Sequence, residues 1–319
     1  MNDSGVRVGP PSFEEFLLST SITFSEYGAP DVLTLSDAPL PQPGPGQVRV
    51  KVRAIAVNPI DLRLRSGELA AIMPLEFPFT PGNDVAGVVD EAGEGSGFSP
   101  GDEVFGARHG GAYSEYVLLD EAFAKPAELS FETAAAMITV GETAYRALEH
   151  LHVSPGQTLL VHGAGGAVGA IAVQLAVARG LTVIGTAGER DFERVGKLGA
   201  TPVRYGEGWA QRVRDAAPGT VDRALDTAGA GVLPDSIALT GDAERVITIA
   251  DMTFAEHGVR FTGLDPADRF PQALPLLADL VARGDLDVPV WRTFPLTEAA
   301  QAHAEIEAHH NQGKVILLP

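Results

Sequence analysis

Residues 158–190 read TLLVHGAGGAVGAIAVQLAVARGLTVIGTAGER. Thr158–Val161 has the composition of a short apolar strand. A glycine turn follows, Gly163-x-x-Gly166-x-x-Gly169, and then an apolar helix from Ala167 to Arg179 with Gly180 as its C-terminal stop. Leu181–Thr186 reads as a second strand, so the stretch is strand, tight turn, helix, strand. That is the βαβ unit of a dinucleotide site, provided the glycines sit between strand and helix, as they do here. A pyrophosphate needs unpaired backbone N–H groups and the positive end of a helix dipole, and bare glycines let it approach both. The turn assigns this role to Gly163, Gly166 and Gly169, with Ala167 and Val168 in the first helical turn. Before Arg179 the helix carries Gln174 as its one polar residue, which predicts burial on nearly every face.

The end of the second strand selects the nucleotide. An NAD site usually places an acid there, about twenty residues after the glycines, to hold the ribose 2′-hydroxyl. This chain instead reads Gly185-Thr186-Ala187-Gly188-Glu189-Arg190. Thr186 and Ala187 leave the 2′ position without a carboxylate. Gly188 leaves room for a phosphate, and Arg190 offers a planar, bidentate donor. The expected cofactor is therefore NADPH, with Glu189 turned to solvent.

Outside this unit the pattern changes. Residues 21–57 alternate short β runs with turns, and Pro41–Gly46 leads into a strand Gln47–Val57 of alternating polarity. Short strands between Gly, Pro and Asp turns continue to about residue 120 and describe an irregular β-rich unit or partial barrel. Ser130–Leu151 reads helical. Beyond Gly180, predicted strands at 201–205, 221–226, 244–249 and 258–263 alternate with helices at 209–217 and 233–239. Together with the first unit they make a doubly wound parallel α/β sheet. A helix at 271–283 follows, then a return to the first unit through a strand at 288–294, a helix at 298–310 and a strand at 314–318. Residues 1–20 form an N-terminal extension in which Ser12–Glu15 fits a capping box.

Composition narrows the partners. The 319 residues carry 23 basic and 42 acidic side chains, a net charge of −19. That disfavours nucleic acid and anionic membrane, and it makes any NADPH pocket a local basic exception. Cysteine is absent, which removes disulfides and thiolate metal sites. No signal peptide or membrane span is read, so a soluble, cytoplasmic protein is expected.

Several motifs then occur in a fixed order: Asn58-Pro59-x-Asp61-x-x-x-Arg65-x-Gly67, Pro81-Gly82-x-Asp84-x-x-Gly87, Gly101-Asp102-x-Val104-x-Gly106, Gly111-Ala112-Tyr113-x-Glu115-Tyr116 and Gly141-x-Thr143-Ala144-Tyr145. The glycine turn and a terminal GKVILLP complete the series. Over residues 21–319 this resembles the zinc-free medium-chain dehydrogenase/reductases, the quinone oxidoreductase-like (zeta-crystallin-like) proteins. The resemblance implies a Rossmann domain, residues 140–286, inserted in a GroES-like catalytic domain, residues 21–139 and 287–319.

It further implies that Asn58 and Thr143 lie at the nicotinamide end, that Tyr205 assists Arg190 at the 2′-phosphate, and that backbone groups near Ile249 and Ala250 hold the carboxamide. It implies a homodimer through the edge strand at 258–263. No metal is expected: the zinc enzymes of the superfamily place Cys and a His-Glu pair where this chain has Asn58 and Asn83-Asp84. His303, His309 and His310 are read as exposed helix residues, and His162 as shaping the glycine turn. Without a metal to polarise a carbonyl, the resemblance points to hydride delivery to a quinone or to an α,β-unsaturated carbonyl, a small hydrophobic substrate. The alternatives are a pathway-specific enoyl or enone tailoring reductase and a non-catalytic NADPH-binding protein of crystallin or sensor type. One departure stands out. Many relatives carry tyrosines where this chain has Arg63 and Leu69, so Arg63 becomes a candidate for an oxyanion or carboxylate.

Overall fold

The computed structural model describes residues 18–217, 219–263, 265–308 and 313–319. The capping box at Ser12–Glu15, and His309 and His310, lie outside them. β1 (Leu18–Thr23) pairs antiparallel with β2 (Thr34–Pro39) in a separate ribbon. Then come β3 (Val48–Val57), α1 (Pro59–Ser66), β4 (Asp84–Ala92), β5 (Glu103–Ala107), β6 (Tyr116–Leu119), β7 (Phe123–Ala124) and the long helix α2 (Phe131–His150). The next segment alternates: β8 (Thr158–His162), α3 (Ala167–Ala178), β9 (Thr182–Ala187), α4 (Phe192–Lys197), β10 (Thr201–Arg204), α5 (Trp209–Ala216), β11 (Arg223–Asp226), α6 (Leu233–Thr240), β12 (Val246–Thr248) and β13 (Arg260–Phe261). The chain closes with α7 (Leu274–Ala282), β14 (Val290–Pro295), α8 (Ala299–Glu307) and β15 (Lys314–Leu318).

Two sheets result. β8 to β13 make a six-stranded sheet, every pair parallel, in the order β10-β9-β8-β11-β12-β13. The order reverses direction at β8, and the loop leaving a strand at such a switch point is where doubly wound sheets bind ligands. The other sheet has seven strands in the order β14-β15-β3-β4-β5-β7, with β6 also on β3. β15 therefore returns to lie against β3 from the far end of the sequence.

β3 shows where the alternation rule stops. Lys51 and Arg53 are exposed and their neighbours buried, as a half-buried strand requires, but residues 54–57 are buried on both faces. Helix α2 covers that second face, packing on β3, β4 and β5. Arg49 is also inside, held by Asp90 and Glu91 at its guanidinium. The same helix packs on α3, so the expected boundary at residue 139 falls within one continuous helix that serves both sheets. Ser130 caps it, its Oγ accepting from Thr133 N at 3.1 Å. Helix α3 is buried from Gly169 to Val173 and again at Leu175 and Ala176, between the parallel sheet and α2, as its all-round apolarity predicts.

Candidate functional site

The first half of the site is the turn between β8 and α3. Gly163 takes φ +72°, open to glycine at little cost. A Cβ on Gly169 would meet Gly163 O at 2.2 Å, so this position must be bare for α3 to close on the turn. Gly166 is the N-cap of α3, exposed, with no side-chain cap on the first-turn N–H groups and no acid in that turn. The turn is braced from below by His162. Its Nδ1 meets Thr186 Oγ1 at 3.2 Å, its Nε2 meets Ser236 Oγ at 3.0 Å, and Trp209 stands edge-on at 4.6 Å. Burial lowers the His162 pKa to about 3, so the ring is neutral and uses one nitrogen to donate and one to accept. Thr186 also accepts from Gly163 N at 3.3 Å, which makes it a brace of the turn.

At the end of β9 the strand tip carries no acid. Ala187 is buried, and Gly188 lies under the ring of Tyr205, which a Cβ there would meet at 3.3 Å. Tyr205 is 63% exposed, and the Arg190 side chain is 61% exposed with only a loose contact to Asp191, 3.5 Å. Glu189 pairs outward with Arg204 at 2.8 Å. A second cation that motif reading did not single out is Arg194, which donates to Gly165 O and borders a narrow cavity of about 50 Å³ with Gly165, Gly166, Val288 and Lys314. A bare turn with uncapped N–H groups, flanked by cations and free of acid at the strand tip, fits a dinucleotide with a 2′-phosphate. Ile249 and Ala250 have spent their N–H groups on Asp226 O and Thr248 Oγ1, so their carbonyls are what they offer a carboxamide.

The second half is a buried polar cluster under α1. Asn58 caps α1 and is 1% exposed. Its side chain turns inward: Nδ2 donates to Asp84 Oδ2 at 2.8 Å, and Oδ1 accepts from Lys314 Nζ. Lys314 Nζ also donates to Val57 O at 2.9 Å. Asp84 further accepts from Thr139 N at 3.1 Å and Thr139 Oγ1 at 2.6 Å. Burial raises the Asp84 pKa, and Lys314 opposes that rise. Three donors on one carboxyl favour its anion, and Asp84 in turn opposes the fall that burial imposes on the Lys314 pKa.

Asp61 behaves differently. It accepts from Asn58 N at 2.9 Å and Tyr113 Oη at 3.3 Å through Oδ2, while Oδ1 is buried without a partner. Burial raises its pKa to about 7, so near neutrality its protonated and ionised forms are about equally populated. Tyr113 Oη reaches His303 Nε2 at 2.9 Å. His303 is therefore not an exposed helix residue: it is fully buried, and burial lowers its pKa to about 3. The helical spacing alone cannot show that α8 turns this face onto α1, where Arg65 also pairs with Glu307.

The predicted substrate-end residues are placed as follows. Asn58 has its amide committed to Asp84 and Lys314. Thr143 is 8% exposed, its Oγ1 accepting from Arg146 Nη2 at 3.2 Å, while Arg146 is held by Glu142 at 2.7 Å. Arg63 stands on the exposed side of α1 with Glu68 at 3.5 Å. Where a zinc ion would sit in the metal enzymes, the Lys314 ammonium occupies the Asn58 oxygen and no thiolate exists. A cation at the first ligand position does not fit a dication. Among the described residues no three His, Cys, Asp or Glu side chains form a metal cluster, and no helix is long and apolar enough to cross a membrane.

Comparison with known proteins agrees with this geometry. Residues 44–128 match the alcohol dehydrogenase GroES-like domain, and residues 198–317 match the zinc-binding dehydrogenase domain. A quinone oxidoreductase of Mus musculus is 33% identical over 94% of this chain and 98% of its own. A 2-methylene-furan-3-one reductase of Solanum lycopersicum is 31% identical over 93% of this chain and 78% of its own. Among solved structures, mycobacterial Rv1454c complexed with NADPH superposes with a TM-score of 0.81, at 30% identity, covering 94% of this chain and all of its own.

Proposed function

Because the chain belongs to the quinone oxidoreductase family of the medium-chain dehydrogenase/reductases, and is therefore an oxidoreductase, we propose that it is an NADPH-dependent reductase of quinones or α,β-unsaturated carbonyls. The observation that carries this reading is the cofactor cradle: a bare turn at Gly163, Gly166 and Gly169 followed by a strand tip with no acid and a largely exposed arginine held only loosely by Asp191. NADPH, when bound, supplies a hydride to an electron-poor carbon. The chain's own contribution is positional. The uncapped N–H groups of Ala167 and Val168 receive the pyrophosphate, Arg190 and Tyr205 the 2′-phosphate, and the carbonyls of Ile249 and Ala250 the carboxamide. Arg146 keeps the Thr143 hydroxyl in one orientation at the other end. The Asn58–Asp84–Lys314 cluster is a rigid floor, since each of its polar atoms is already bonded to another. The relative that reduces a 2-methylene-furan-3-one supports the enone as acceptor alongside the quinone.

Arg190→Ala tests the cofactor reading. Losing hydrogen bonds to a charged phosphate costs about 1.5–3 kcal/mol, so NADPH affinity should fall roughly 10- to 150-fold while NADH affinity holds. Fluorescence titration with both nucleotides reads this directly, and an equal loss for both removes Arg190 from the phosphate site. We also propose a homodimer through β13. It is an edge strand of the parallel sheet, and edge strands offer their outer backbone groups for pairing. Light scattering at micromolar concentration should give twice the chain mass of 33.4 kDa; a monomer refutes the pairing.

A further inference from the structure

A buried hydrogen-bond chain joins three elements beside the polar cluster. Asp61 on α1, Tyr113 in the loop before β6 and His303 on α8 are all fully buried. Tyr113 Oη stands 3.3 Å from Asp61 Oδ2 and 2.9 Å from His303 Nε2. The tyrosine is fixed between them. Its N–H donates to Pro81 O at 3.0 Å, and its carbonyl accepts from Ile22 N at 2.8 Å. Its ring fills the space over Gly82, where a Cβ would meet Cδ1 at 2.3 Å, and the His303 ring meets it edge-on at 5.8 Å.

A phenol has one hydrogen to give, and here it has two neighbours. If Tyr113 donates to His303, then Nε2 is bare, the ring carries its proton on Nδ1, and Asp61 must be the acid that donates to the phenol oxygen. If Tyr113 donates to Asp61, the carboxyl is ionised and His303 Nε2–H donates to the phenol oxygen. Each arrangement keeps both bonds. A mixed one sets two hydrogens or two lone pairs against each other and leaves a buried group unsatisfied. His303 stays neutral in both, because burial, and then the charge of Arg65, lowers its pKa to about 3. The ends of the chain, Asp61 Oδ1 and His303 Nδ1, are buried without a partner among the described residues, so no other contact there fixes the tautomer. A proton placed on Oδ1 would strand a carboxylic O–H, a stronger donor than the imidazole N–H stranded otherwise, which favours Oδ2.

We propose that Asp61, Tyr113 and His303 form a proton relay that titrates as one unit and reverses the His303 tautomer as it does so. When Asp61 loses its proton, the Asp61 O–H bond breaks and the proton passes to Tyr113 Oη. Tyr113 gives its own hydrogen to His303 Nε2, and the proton released to water comes from His303 Nδ1. Asp61 gains the negative charge, and Tyr113 and His303 end neutral. The charged groups facing the unit are Asp84 from β4 and Lys314 from β15 on the Asp61 side, and Arg65 of α1 with its partner Glu307 of α8 on the His303 side. The relay thus changes the charge of the cluster by one without opening either buried bond. Lys314 also borders the cavity at Gly165 and Gly166, which places this change beside the glycine turn. The relay goes beyond the reductase reading and does not depend on it.

The test uses the full chain with its histidine rings labelled with nitrogen-15. Long-range proton–nitrogen correlation spectra separate Nδ1–H, Nε2–H and doubly protonated rings, and the His303 signals are those missing from His303→Gln. In the wild type His303 should carry Nδ1–H at about pH 5.5 and Nε2–H at about pH 8.5, the tautomer ratio changing about 100-fold or more. The midpoint should fall near 7, where Asp61 titrates. Asp61→Asn keeps the side chain's shape and removes its proton equilibrium, and Tyr113→Phe cuts the relay at its centre. Each should hold His303 in one tautomer across the whole range. Three results overturn the proposal. One tautomer throughout in the wild type places the Asp61 proton on Oδ1. An imidazolium at the acid end makes His303 itself the titrating group. An undiminished reversal in Asp61→Asn assigns it to another group. Melting curves identify the variants that fold, and the wild-type spectrum with either folded variant decides the question.

Discussion

Gly166→Val should abolish binding of NADPH and NADH alike, by a factor of about 100 or more, while the melting temperature stays within about 3 °C of the wild type. Both halves of that expectation follow from the local geometry. Gly166 has φ −78° and ψ 172°, extended backbone that any residue adopts, and it is exposed. An added Cβ meets only Gly163 O, at 3.2 Å, which a small shift relieves. The valine methyls would then stand over the uncapped N–H groups at the start of α3, where the pyrophosphate must lie. Gly169 would be a poor choice for this test, because its Cβ would meet Gly163 O at 2.2 Å and the turn itself would break. Fluorescence titration and a melting curve read the two halves separately. Retained affinity means that the phosphates lie elsewhere. Lost affinity with a large drop in melting temperature means that the turn collapsed, and Gly166→Ala then distinguishes shape from occlusion.

Lys314→Met should be the most destabilising single change at the polar cluster, by about 3–5 kcal/mol in urea unfolding, the usual cost of stranding one partner of a buried ion pair. The methionine fills the lysine's volume but leaves Asp84 buried without a cation, beside Asp61. The penalty should also depend on pH. Both carboxyls already have raised pKa values, through burial, and removing the ammonium raises them further. The native variant then holds more protons than its unfolded chain above about pH 4. By linkage its stability falls as pH rises, and the deficit against the wild type should be smaller at pH 5 than at pH 8. The double variant Asp84→Asn/Lys314→Met should recover a substantial part of the loss. Additive losses in the double variant would show that the stability came from packing of the lysine stem and not from the charge pair.

The two predictions sit on opposite sides of what can be read along the chain. The βαβ unit was legible because its causes are local. Strand and helix differ in the period of their apolar residues, and the glycines are required by a turn and a helix contact a few residues away. Tyr205 came from the family resemblance and stands over Gly188 in the fold. The polar cluster was not legible in the same way. Asn58, Asp61 and Asp84 belong to sequence motifs, but nothing in their spacing shows that Lys314, 256 residues beyond Asn58, closes on the Asn58 oxygen. The burial of His303 is hidden from the sequence for the same reason. On a short amphipathic helix a histidine looks like a solvated residue until a partner helix buries it.

What the amino-acid sequence determined alone is therefore the α/β class and the strand, glycine turn and helix at its first βαβ unit. Each depends on backbone geometry and periodicity within about thirty residues. Only the tertiary structure decided which buried charges neutralise each other. That depends on β15 returning to β3 and on α8 packing against α1. Desolvation makes such encounters energetically decisive. A lysine or an aspartate carries the same letter in water and in the core, and its partner is chosen by the fold.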